Sequence, residues 1–325
     1  MTAAGGPEVL RPVDIPTPTP GADELRVRLH AAGVNPIDTK VRSRGLFFED
    51  ALPAILGCDG AGTVDAVGNA VTSLQTGDEV WFCHGGLGRE QGNYAEFTVL
   101  NENIARKKPV SLSFEQAAAA PLVLITAWEA LFDRAQIGAG QSVLIHGGAG
   151  GVGHVAIQLA KSAGASVCTT VGSEEHRQFA LALGADQAIN HRQENFVDAV
   201  LEWTANRGVD VALDIMGGQV FQETIRTVAH YGSLITLLDP GNNIVWTEAR
   251  NRNLRIGFEL MLTPMLTDLP EARVHQGEIL DRCAALADAG KLKIEVSRHL
   301  PLEQAAVAHQ QIETGHTHGK LVLVP

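Results

Sequence analysis

The chain has few cysteines and few cations for its length. Its 325 residues include four cysteines, Cys58, Cys83, Cys168 and Cys283, with no CxxC pair among them. Scattered cysteines are typical of free thiols in a reducing cytoplasm and exclude a disulfide framework. The 25 Lys and Arg residues are outnumbered by 37 Asp and Glu residues, so the formal net charge is −12. This acidic balance argues against a nucleic acid or an anionic membrane as partner.

Long apolar runs and hydrolytic clusters are also absent from the sequence. No run approaches the roughly 18 uncharged apolar residues of a membrane helix. Residues 1–10 show neither the basic region nor the apolar region of a signal peptide. The 12 histidines are scattered, and no spacing supports a Ser-His-Asp or Cys-His arrangement. We therefore expect a cytoplasmic protein with no membrane segment and enough residues for two domains.

A glycine-rich stretch, HGGAGGVG at residues 146–153, carries the strongest functional signal. A short apolar run precedes it, and apolar residues after it recur at the spacing of one helix face. Gly148, Gly150 and Gly153 therefore lie in the GxGxxG register between a strand and a helix. Glycine permits the tight turn, the approach of the backbone to a pyrophosphate and the close packing of the helix. The stretch predicts a dinucleotide site at the N-terminus of a helix.

Alternating strands and helices follow this stretch, whereas short strands with glycine corners precede it. The short strands, of which residues 24–31 are one, suggest a small β-barrel. The later strand candidates fit the six parallel strands of a doubly wound domain, and they are 143–145, 166–171, 187–190, 209–215, 233–238 and 254–260. Helices are expected at 113–120, from about Thr126 to Ala135 and at 271–289, before a final strand at 320–324. The domain boundary is expected near Leu122.

Six segments spread over nearly the whole chain point to one family. They are AGVNPID at 32–38, LGCDGAG at 56–62, GNYAE at 92–96, PLVLITAW at 121–128, residues 146–161 and HGKL at 318–321. Together they resemble the medium-chain dehydrogenase/reductase superfamily, and within it the zinc-independent, zeta-crystallin-like quinone oxidoreductase branch.

The resemblance implies an α/β protein of two domains. A GroES-like β-barrel catalytic domain would comprise residues 1–121, completed by 262–325. A doubly wound Rossmann domain at 122–261 would bind NADP in its parallel sheet. The resemblance also implies a homodimer or a tetramer, commonly joined through the edge strand at 254–260.

The same resemblance bears on zinc. Alcohol dehydrogenase relatives hold a catalytic zinc with three ligands, and the quoted segments put Asn35, Cys58 and Leu122 in those places. One possible ligand of three cannot form the open three-ligand site that catalytic zinc requires. We therefore expect no metal.

Residues beyond the glycine stretch favour NADPH over NADH. A carboxylate at the end of the second strand would bind the ribose 2′-hydroxyl of NAD, but that place falls at Val171. Ser173, His176 and Arg177 follow, and a hydroxyl with two potential cations suits a 2′-phosphate. Alternatively, Arg177 is a solvated helix-face residue, and Glu174 and Glu175 beside it weaken the local positive field.

The resemblance adds further cofactor contacts to those of the glycine stretch. His191 corresponds to a tyrosine beside the adenosine phosphate in relatives, unless it is a plain surface histidine. The full set of predicted cofactor contacts is Gly148, Gly150, Gly151, Val152, Gly153, Thr170, Gly172, Ser173, His176, Arg177, His191, Leu238 and Lys320.

Four residues are candidates for the catalytic chemistry. Asn35 matches the family's cleft asparagine, placed to meet a cofactor or substrate oxygen, unless it is a turn residue set by Asn-Pro. Thr126, at the start of the expected interdomain helix, matches a residue that faces the nicotinamide, unless it is an N-cap or a core hydroxyl. Asp38 would orient the site or terminate a turn. Lys40 would supply a proton or bind an anionic substrate, unless it is a solvated cation.

These observations converge on hydride transfer without a metal. The protein would position the reactants and stabilise an enolate or hydroquinone anion. We predict an NADPH-dependent, zinc-independent oxidoreductase that reduces a quinone or an α,β-unsaturated carbonyl, so its partner is a small-molecule substrate. The alternatives are an alcohol or aldehyde dehydrogenase of the same superfamily and a catalytically idle NADPH-binding protein.

Overall fold

Two compact units make up the chain in the computed structural model, which describes residues 1–48, 51–315 and 317–325. The first unit comprises Met1–Leu122, Leu262–Gly290 and Ile294–Pro325. The second unit comprises Val123–Met261 and Lys291–Lys293. Within the described ranges, no helix combines the length and the apolar character needed to cross a membrane.

The elements are numbered in chain order. The strands are β1 (Glu24–Val34), β2 (Asp59–Val67), β3 (Glu79–Cys83), β4 (Phe97–Asn101), β5 (Arg106–Lys107), β6 (Ser142–Ile145), β7 (Ser166–Val171), β8 (Gln187–Asn190), β9 (Val209–Asp214), β10 (Val228–Thr236), β11 (Arg255–Phe258), β12 (Val296–Pro301) and β13 (Lys320–Val324). The α-helices are α1 (Pro36–Arg44), α2 (Phe114–Ala119), α3 (Pro121–Trp128), α4 (Gly151–Ser162), α5 (Glu174–Ala182), α6 (Phe196–Trp203), α7 (Gly218–Thr224), α8 (Thr247–Asn251), α9 (Thr263–Thr267), α10 (Pro270–Asp288) and α11 (Ala305–Glu313).

The first unit is built on a mixed sheet. Among the described residues this sheet has seven strands in the order β12-β13-β1-β2-β3-β5, with β4 also paired to β1. Inward-facing Leu25, Val27 and Leu29 alternate along β1 and pack in a buried apolar cluster with residues of β2, β3 and β4. The predicted strand at 24–31 extends to Val34 because its last residues pair with β13 from the end of the chain.

The second unit is built on a parallel sheet. Its strand order over the described residues is β11-β10-β9-β6-β7-β8, the doubly wound arrangement predicted from the sequence. The strands predicted at 166–171 and 187–190 are confirmed at both ends. The order of the strands reverses between β6 and β9, and in sheets of this kind ligands bind outside the carboxyl ends of the strands at that point. The glycine-rich stretch directly follows β6.

The predicted bounds of three strands in this unit are wrong. The strand expected at 233–238 begins earlier, at Val228, and ends at Thr236, where the Thr236 hydroxyl oxygen accepts a hydrogen bond from the Leu238 N–H at 3.2 Å. Leu238 therefore lies in a loop. The strand expected at 209–215 ends at Asp214, and the edge strand expected at 254–260 spans only Arg255–Phe258, which pairs with four residues of β10.

The helix expected from Thr126 begins earlier, at Pro121. Proline suits the first position of a helix because the N–H it lacks has no partner inside the helix. Thr126 consequently lies within α3, which excludes the N-cap role. Residues Glu129–Arg134 continue the helical path as a π-helix. The start of α2 is confirmed, since Ser113 caps it and accepts a hydrogen bond from the Gln116 N–H.

Candidate functional site

The glycine-rich turn of the second unit runs from the end of β6 to the start of α4. The Gly148 N–H donates to the Thr170 carbonyl at 2.9 Å, which ties the turn to β7. A Cβ atom on Gly153 would lie 2.1 Å from the Gly147 carbonyl oxygen, and one on Gly148 would lie 2.2 Å from Thr169 Oγ1. Both positions therefore require glycine if the turn is to lie against the helix and against β7.

The start of α4 is arranged to receive an anion. Gly150 is its N-cap residue, and no side chain in the described part of the chain caps it. Gly151, Val152 and Gly153 form its first turn, where backbone N–H groups and the positive end of the helix dipole point outward. A phosphate group at this position would meet backbone donors with no side chain in between.

Beside this turn, the end of β7 has two polar side chains with different orientations. Thr170 is buried, and its hydroxyl contacts His146 Nδ1 at 3.0 Å and the Gly147 N–H at 3.2 Å, so it supports the turn from within. Ser173 is the N-cap of α5, and its hydroxyl oxygen accepts from the His176 N–H at 3.1 Å. The Ser173 hydroxyl hydrogen remains available to an acceptor.

The positive charge near Gly172 comes from more residues than predicted. Arg177 donates from Nε to the Ala188 carbonyl at 2.9 Å, so only its two outer guanidinium nitrogens could bind a phosphate. One of these nitrogens lies 3.5 Å from Glu174. Arg192 is exposed, and a Cβ atom on Gly172 would lie 3.7 Å from its Nε and 3.5 Å from His191 Nε2. Sequence reasoning missed Arg192, although its place directly after His191 at the end of the third strand was the signal that could have found it.

A buried carboxylate organises the loops after β9 and β10. Asp214 accepts hydrogen bonds from the Met216 and Gly217 N–H groups and from the Thr236 hydroxyl, at 2.8 to 3.1 Å. Leu238 packs beside Gly217, 3.3 Å from where its Cβ would stand. Asp214 was also missed, and its position at the last residue of a buried parallel strand was its signal.

In the first unit, Asn35, Asp38 and Lys320 meet in a buried polar cluster that also contains Asp59. The Asn35 amide Nδ2 donates to Asp59 Oδ2 at 2.8 Å, and its Oδ1 accepts a hydrogen bond from Lys320 Nζ. The Asn35 backbone N–H donates to Asp38 Oδ2 at 2.8 Å. Asn35 precedes Pro36 as the N-cap residue of α1, so the Asn-Pro turn and the side-chain network coexist.

Burial perturbs the ionisation of this cluster. It raises the pKa of Asp38 to about 7, although hydrogen bonds from the Asn35 N–H and the Tyr94 hydroxyl act in the opposite direction. Burial also raises the pKa of Asp59 and lowers that of Lys320. The Tyr94 hydroxyl lies 3.0 Å from Asp38 Oδ2 and 3.2 Å from His309 Nε2, and burial lowers the pKa of His309 to about 3. The histidine is therefore neutral at physiological pH.

Comparison with known proteins shows which protein family this chain belongs to. Residues 21–110 match the family model of the alcohol dehydrogenase GroES-like domain, and residues 183–323 match that of a zinc-binding dehydrogenase. Quinone oxidoreductase from Rattus norvegicus is 33% identical, over 98% of this chain and 93% of its own length. The chain belongs to the quinone oxidoreductase branch of the medium-chain dehydrogenase/reductase superfamily.

Solved structures confirm the fold class of this quinone oxidoreductase relative. The crystal structure of Escherichia coli quinone oxidoreductase complexed with NADPH has a TM-score of 0.88 and 31% identity, and the match covers 100% of this chain and 98% of that one. A crystal structure of an NAD-dependent alcohol dehydrogenase has a TM-score of 0.90 and 35% identity, with the same coverage. The predicted fold class, a GroES-like β-barrel with a doubly wound Rossmann sheet, is thereby confirmed.

One of the matched family models is that of zinc-binding dehydrogenases, whereas the residues in the zinc-ligand places of this chain are poor zinc donors. Asn35 already binds an ammonium group and a carboxylate, and Leu122 offers only an aliphatic side chain. Burial raises the pKa of Cys58 well above its ordinary value, which disfavours the thiolate that zinc binds. Among the described residues, no three His, Cys, Asp or Glu side chains are grouped as metal ligands. The donors do not fit zinc.

The remaining two catalytic candidates lie outside this hydrogen-bonded cluster. Lys40 is half-buried on α1, the helix that Asn35 caps. Thr126 is buried within α3 in the second unit. The carboxylate of Asp59 accepts from the Leu122 N–H at 2.8 Å and so binds the first turn of that helix. Asp59 was missed as a site residue, although it lies within the LGCDGAG segment.

Proposed function

We propose that this chain is an NADPH-dependent, zinc-independent oxidoreductase that transfers hydride to a quinone or to an α,β-unsaturated carbonyl. The observation that carries the proposal is the end of β7, where Val171 replaces the carboxylate that would bind the ribose of NAD. Arg192 and His191 lie beside the neighbouring Gly172, and a guanidinium can bind a 2′-phosphate through two hydrogen bonds. The relative from Escherichia coli was solved with NADPH.

The proposed cofactor contacts divide into two groups. Gly148, Gly150, Gly151, Val152 and Gly153 would hold the pyrophosphate at the start of α4. A second group would hold the 2′-phosphate and the adenosine, and it comprises Gly172, Ser173, His176, Arg177, His191 and Arg192. Leu238 would contribute an apolar contact from the loop after β10.

Thr170 has a different proposed role from that of a direct contact. Its hydroxyl is engaged by His146 and by the Gly147 N–H. We therefore propose that Thr170 holds the glycine turn in shape and that the glycine turn itself binds the cofactor.

When bound, NADPH supplies the hydride. The chain's own residues would orient the acceptor and balance the negative charge that develops on its oxygen. Asn35 retains one amide N–H beyond the one it gives to Asp59, and Thr126 has a hydroxyl, so both are proposed donors. Lys40 is the proposed source of a proton or the contact for an anionic substrate. Asp38 is proposed to orient Asn35 through its backbone N–H.

Two alternatives predict different behaviour. An alcohol or aldehyde dehydrogenase of the same superfamily is favoured by the structural likeness to an NAD-dependent alcohol dehydrogenase. The described residues, however, contain no grouped set of zinc ligands that would hold a metal to polarise a carbonyl. An idle NADPH-binding protein would retain the glycine turn and Arg192 but turn over no acceptor.

One assay separates the three functions. NADPH and NADH oxidation would be followed with matched panels of quinones, enones and aldehydes, before and after treatment with a chelator. We expect turnover of quinones or enones with NADPH, unaffected by the chelator. Turnover of aldehydes alone, abolished by chelation, would support the dehydrogenase, and cofactor binding without any turnover would support the idle binder.

We also propose a homodimer and a cytoplasmic location. The edge strand β11 presents exposed Phe258, and Leu260 and Trp246 nearby are exposed as well. Apolar side chains at an open sheet edge favour pairing with a second copy. The four cysteines are buried free thiols, which suits a reducing compartment. Light scattering during size exclusion would report a dimer, and a monomer at assay concentrations would contradict the first proposal.

A further inference from the structure

A buried ammonium group links the end of the chain to the catalytic candidates of the first unit. Lys320 is the first residue of β13, and only 4% of its surface is exposed. Its Nζ donates to the Val34 carbonyl at 3.1 Å and to Asn35 Oδ1, and it lies 3.9 Å from Asp59 Oδ2. Two of the three N–H donors of the ammonium are therefore used in hydrogen bonds, and the Asp59 carboxylate balances its charge.

The ammonium determines which way the Asn35 amide points. Lysine can only donate hydrogen bonds, so the group facing it must be the Asn35 oxygen. The Nδ2 group then faces Asp59, to which it gives one N–H at 2.8 Å. The second N–H of the amide is the one left for another acceptor. If the amide turned over, its NH₂ group would face the ammonium and its oxygen would face a carboxylate.

The same ion pair reaches the start of α3. Asp59 accepts from Asn35 through Oδ2 and from the Leu122 N–H through Oδ1, at 2.8 Å in both cases. A buried carboxylate is costly unless it has a cationic partner and hydrogen bonds. Lys320 is that cationic partner, and among the charged groups facing Asp59 it lowers the carboxylate pKa most.

We infer that Lys320 is a positioning residue, which holds the Asn35 amide and the Asp59 carboxylate in their working orientations and does not contact the cofactor. Its N–H groups donate to the Val34 carbonyl and to Asn35 Oδ1, and its charge lies 3.9 Å from the Asp59 carboxylate. The inference rests on the proposed function, because Asn35 must act on the acceptor for its orientation to affect turnover.

The placement of Lys320 can be tested without any substitution. The native protein would be acetylated with and without saturating NADPH, and each lysine would be quantified by mass spectrometry. We expect Lys320 to stay unmodified in both samples, while the exposed Lys291 is modified in both. Modification of Lys320 that NADPH prevents would show a cofactor contact, and modification in both samples would show an exposed side chain. Either result overturns the inference.

Its role would be tested with Lys320→Met, with Lys291→Met as the control. We expect kcat to fall by up to about 100-fold, as when a catalytic group is misplaced by about 1 Å, while the Kd for NADPH stays within about twofold because the glycine turn is untouched. Because Lys320 acts through Asn35, the double variant Lys320→Met, Asn35→Ala should be no slower than Asn35→Ala alone. A tenfold rise in Kd at unchanged kcat, or independent losses that multiply in the double variant, would overturn the inference.

A second pair of variants covers the case in which Lys320→Met does not fold, and the acetylation experiment covers the case in which the wild type is inactive. If Lys320→Met does not fold, Lys320→Met combined with Asp59→Asn removes both charges and is compared with Asp59→Asn alone. In that pair, an unchanged kcat or a tenfold change in Kd counts against the inference. Should the wild type reduce no quinone or enone, the proposed function fails, whereas acetylation and NADPH binding still decide where Lys320 lies.

Discussion

The imidazole of His146 is held in one protonation form by Thr224. The Thr224 hydroxyl donates its only hydrogen to the Val220 carbonyl at 2.6 Å, and it lies 2.8 Å from His146 Nε2. Thr224 must therefore accept from Nε2–H, which leaves Nδ1 as an acceptor. The Thr170 hydroxyl then donates to Nδ1 and accepts the Gly147 N–H. Burial lowers the pKa of His146 to about 4, so the neutral form persists near neutrality.

Thr224→Val should destabilise the second unit because the His146 Nε2–H loses its acceptor. An unsatisfied buried donor costs about 1–3 kcal/mol. We expect a loss of that size in the free energy of unfolding from urea denaturation, with weaker binding of NADPH because the glycine turn loses support. The exposed Thr247→Val is the control. If Thr224→Val were as stable as the wild type, the hydrogen bonds that link Thr224, His146, Thr170 and Gly147 would contribute nothing to the free energy of unfolding.

Arg192→Ala should weaken the binding of NADPH but not of NADH, because only NADPH has a 2′-phosphate. A charge-assisted hydrogen bond contributes about 1.5–3 kcal/mol, which corresponds to roughly a 10- to 150-fold rise in Kd. Arg177→Ala should have a smaller effect, since Nε of Arg177 is committed to the Ala188 carbonyl. Fluorescence titration measures both affinities, with Arg226→Ala as the exposed control. Equal losses for both cofactors would contradict 2′-phosphate recognition.

Asp38→Asn should flatten part of the pH dependence of stability. The pKa of Asp38 rises from 3.8 to about 7 on folding because the carboxyl group is buried. Between these values the folded state binds more protons than the unfolded state, so the stabilising contribution of Asp38 is complete below 3.8 and is lost as the pH rises through 7. The titratable groups that face it are Cys58, Asp59, Tyr94 and Lys320.

Denaturation of wild type and Asp38→Asn at pH 4 to 8 measures this contribution. We expect the stability of the wild type relative to the variant to fall by up to about 4 kcal/mol over that range, at 1.36 kcal/mol per pKa unit. Asp14→Asn, at an exposed position, should follow the wild type. Parallel curves for wild type and Asp38→Asn would show that the carboxyl group titrates normally.

Gly153→Ala should disrupt the cofactor site through sterics alone. The new Cβ would lie 2.1 Å from the Gly147 carbonyl oxygen, and backbone cannot move aside as a side chain can. We expect NADPH affinity to fall at least tenfold (about 1.4 kcal/mol) and the melting temperature to drop. Gly138→Ala is the matched control, because its Cβ would meet only the tip of Gln141 at 3.8 Å. Normal NADPH binding by Gly153→Ala would refute the close packing.

The sequence predicted helices and strands correctly where hydrogen bonds and apolar spacing between neighbouring residues define them. Ser113 as the cap of α2 and the bounds of β7 and β8 are confirmed. The end of β10 was missed because the Thr236 side chain turns the backbone there, and apolar residues continue beyond it. The start of α3 was missed because Pro121 and the distant Asp59 define it.

The features of the candidate site also differ in whether they depend on adjacent or on distant residues. The GxGxxG register and the absence of a carboxylate at Val171 are properties of adjacent residues, so the sequence alone determined a dinucleotide site and favoured NADPH. The meeting of Lys320, Asn35 and Asp59 joins residues 285 and 24 positions apart. Only tertiary structure decided it, because pairing of β13 with β1 places a buried ammonium where it needs those oxygens, and no local pattern records that need.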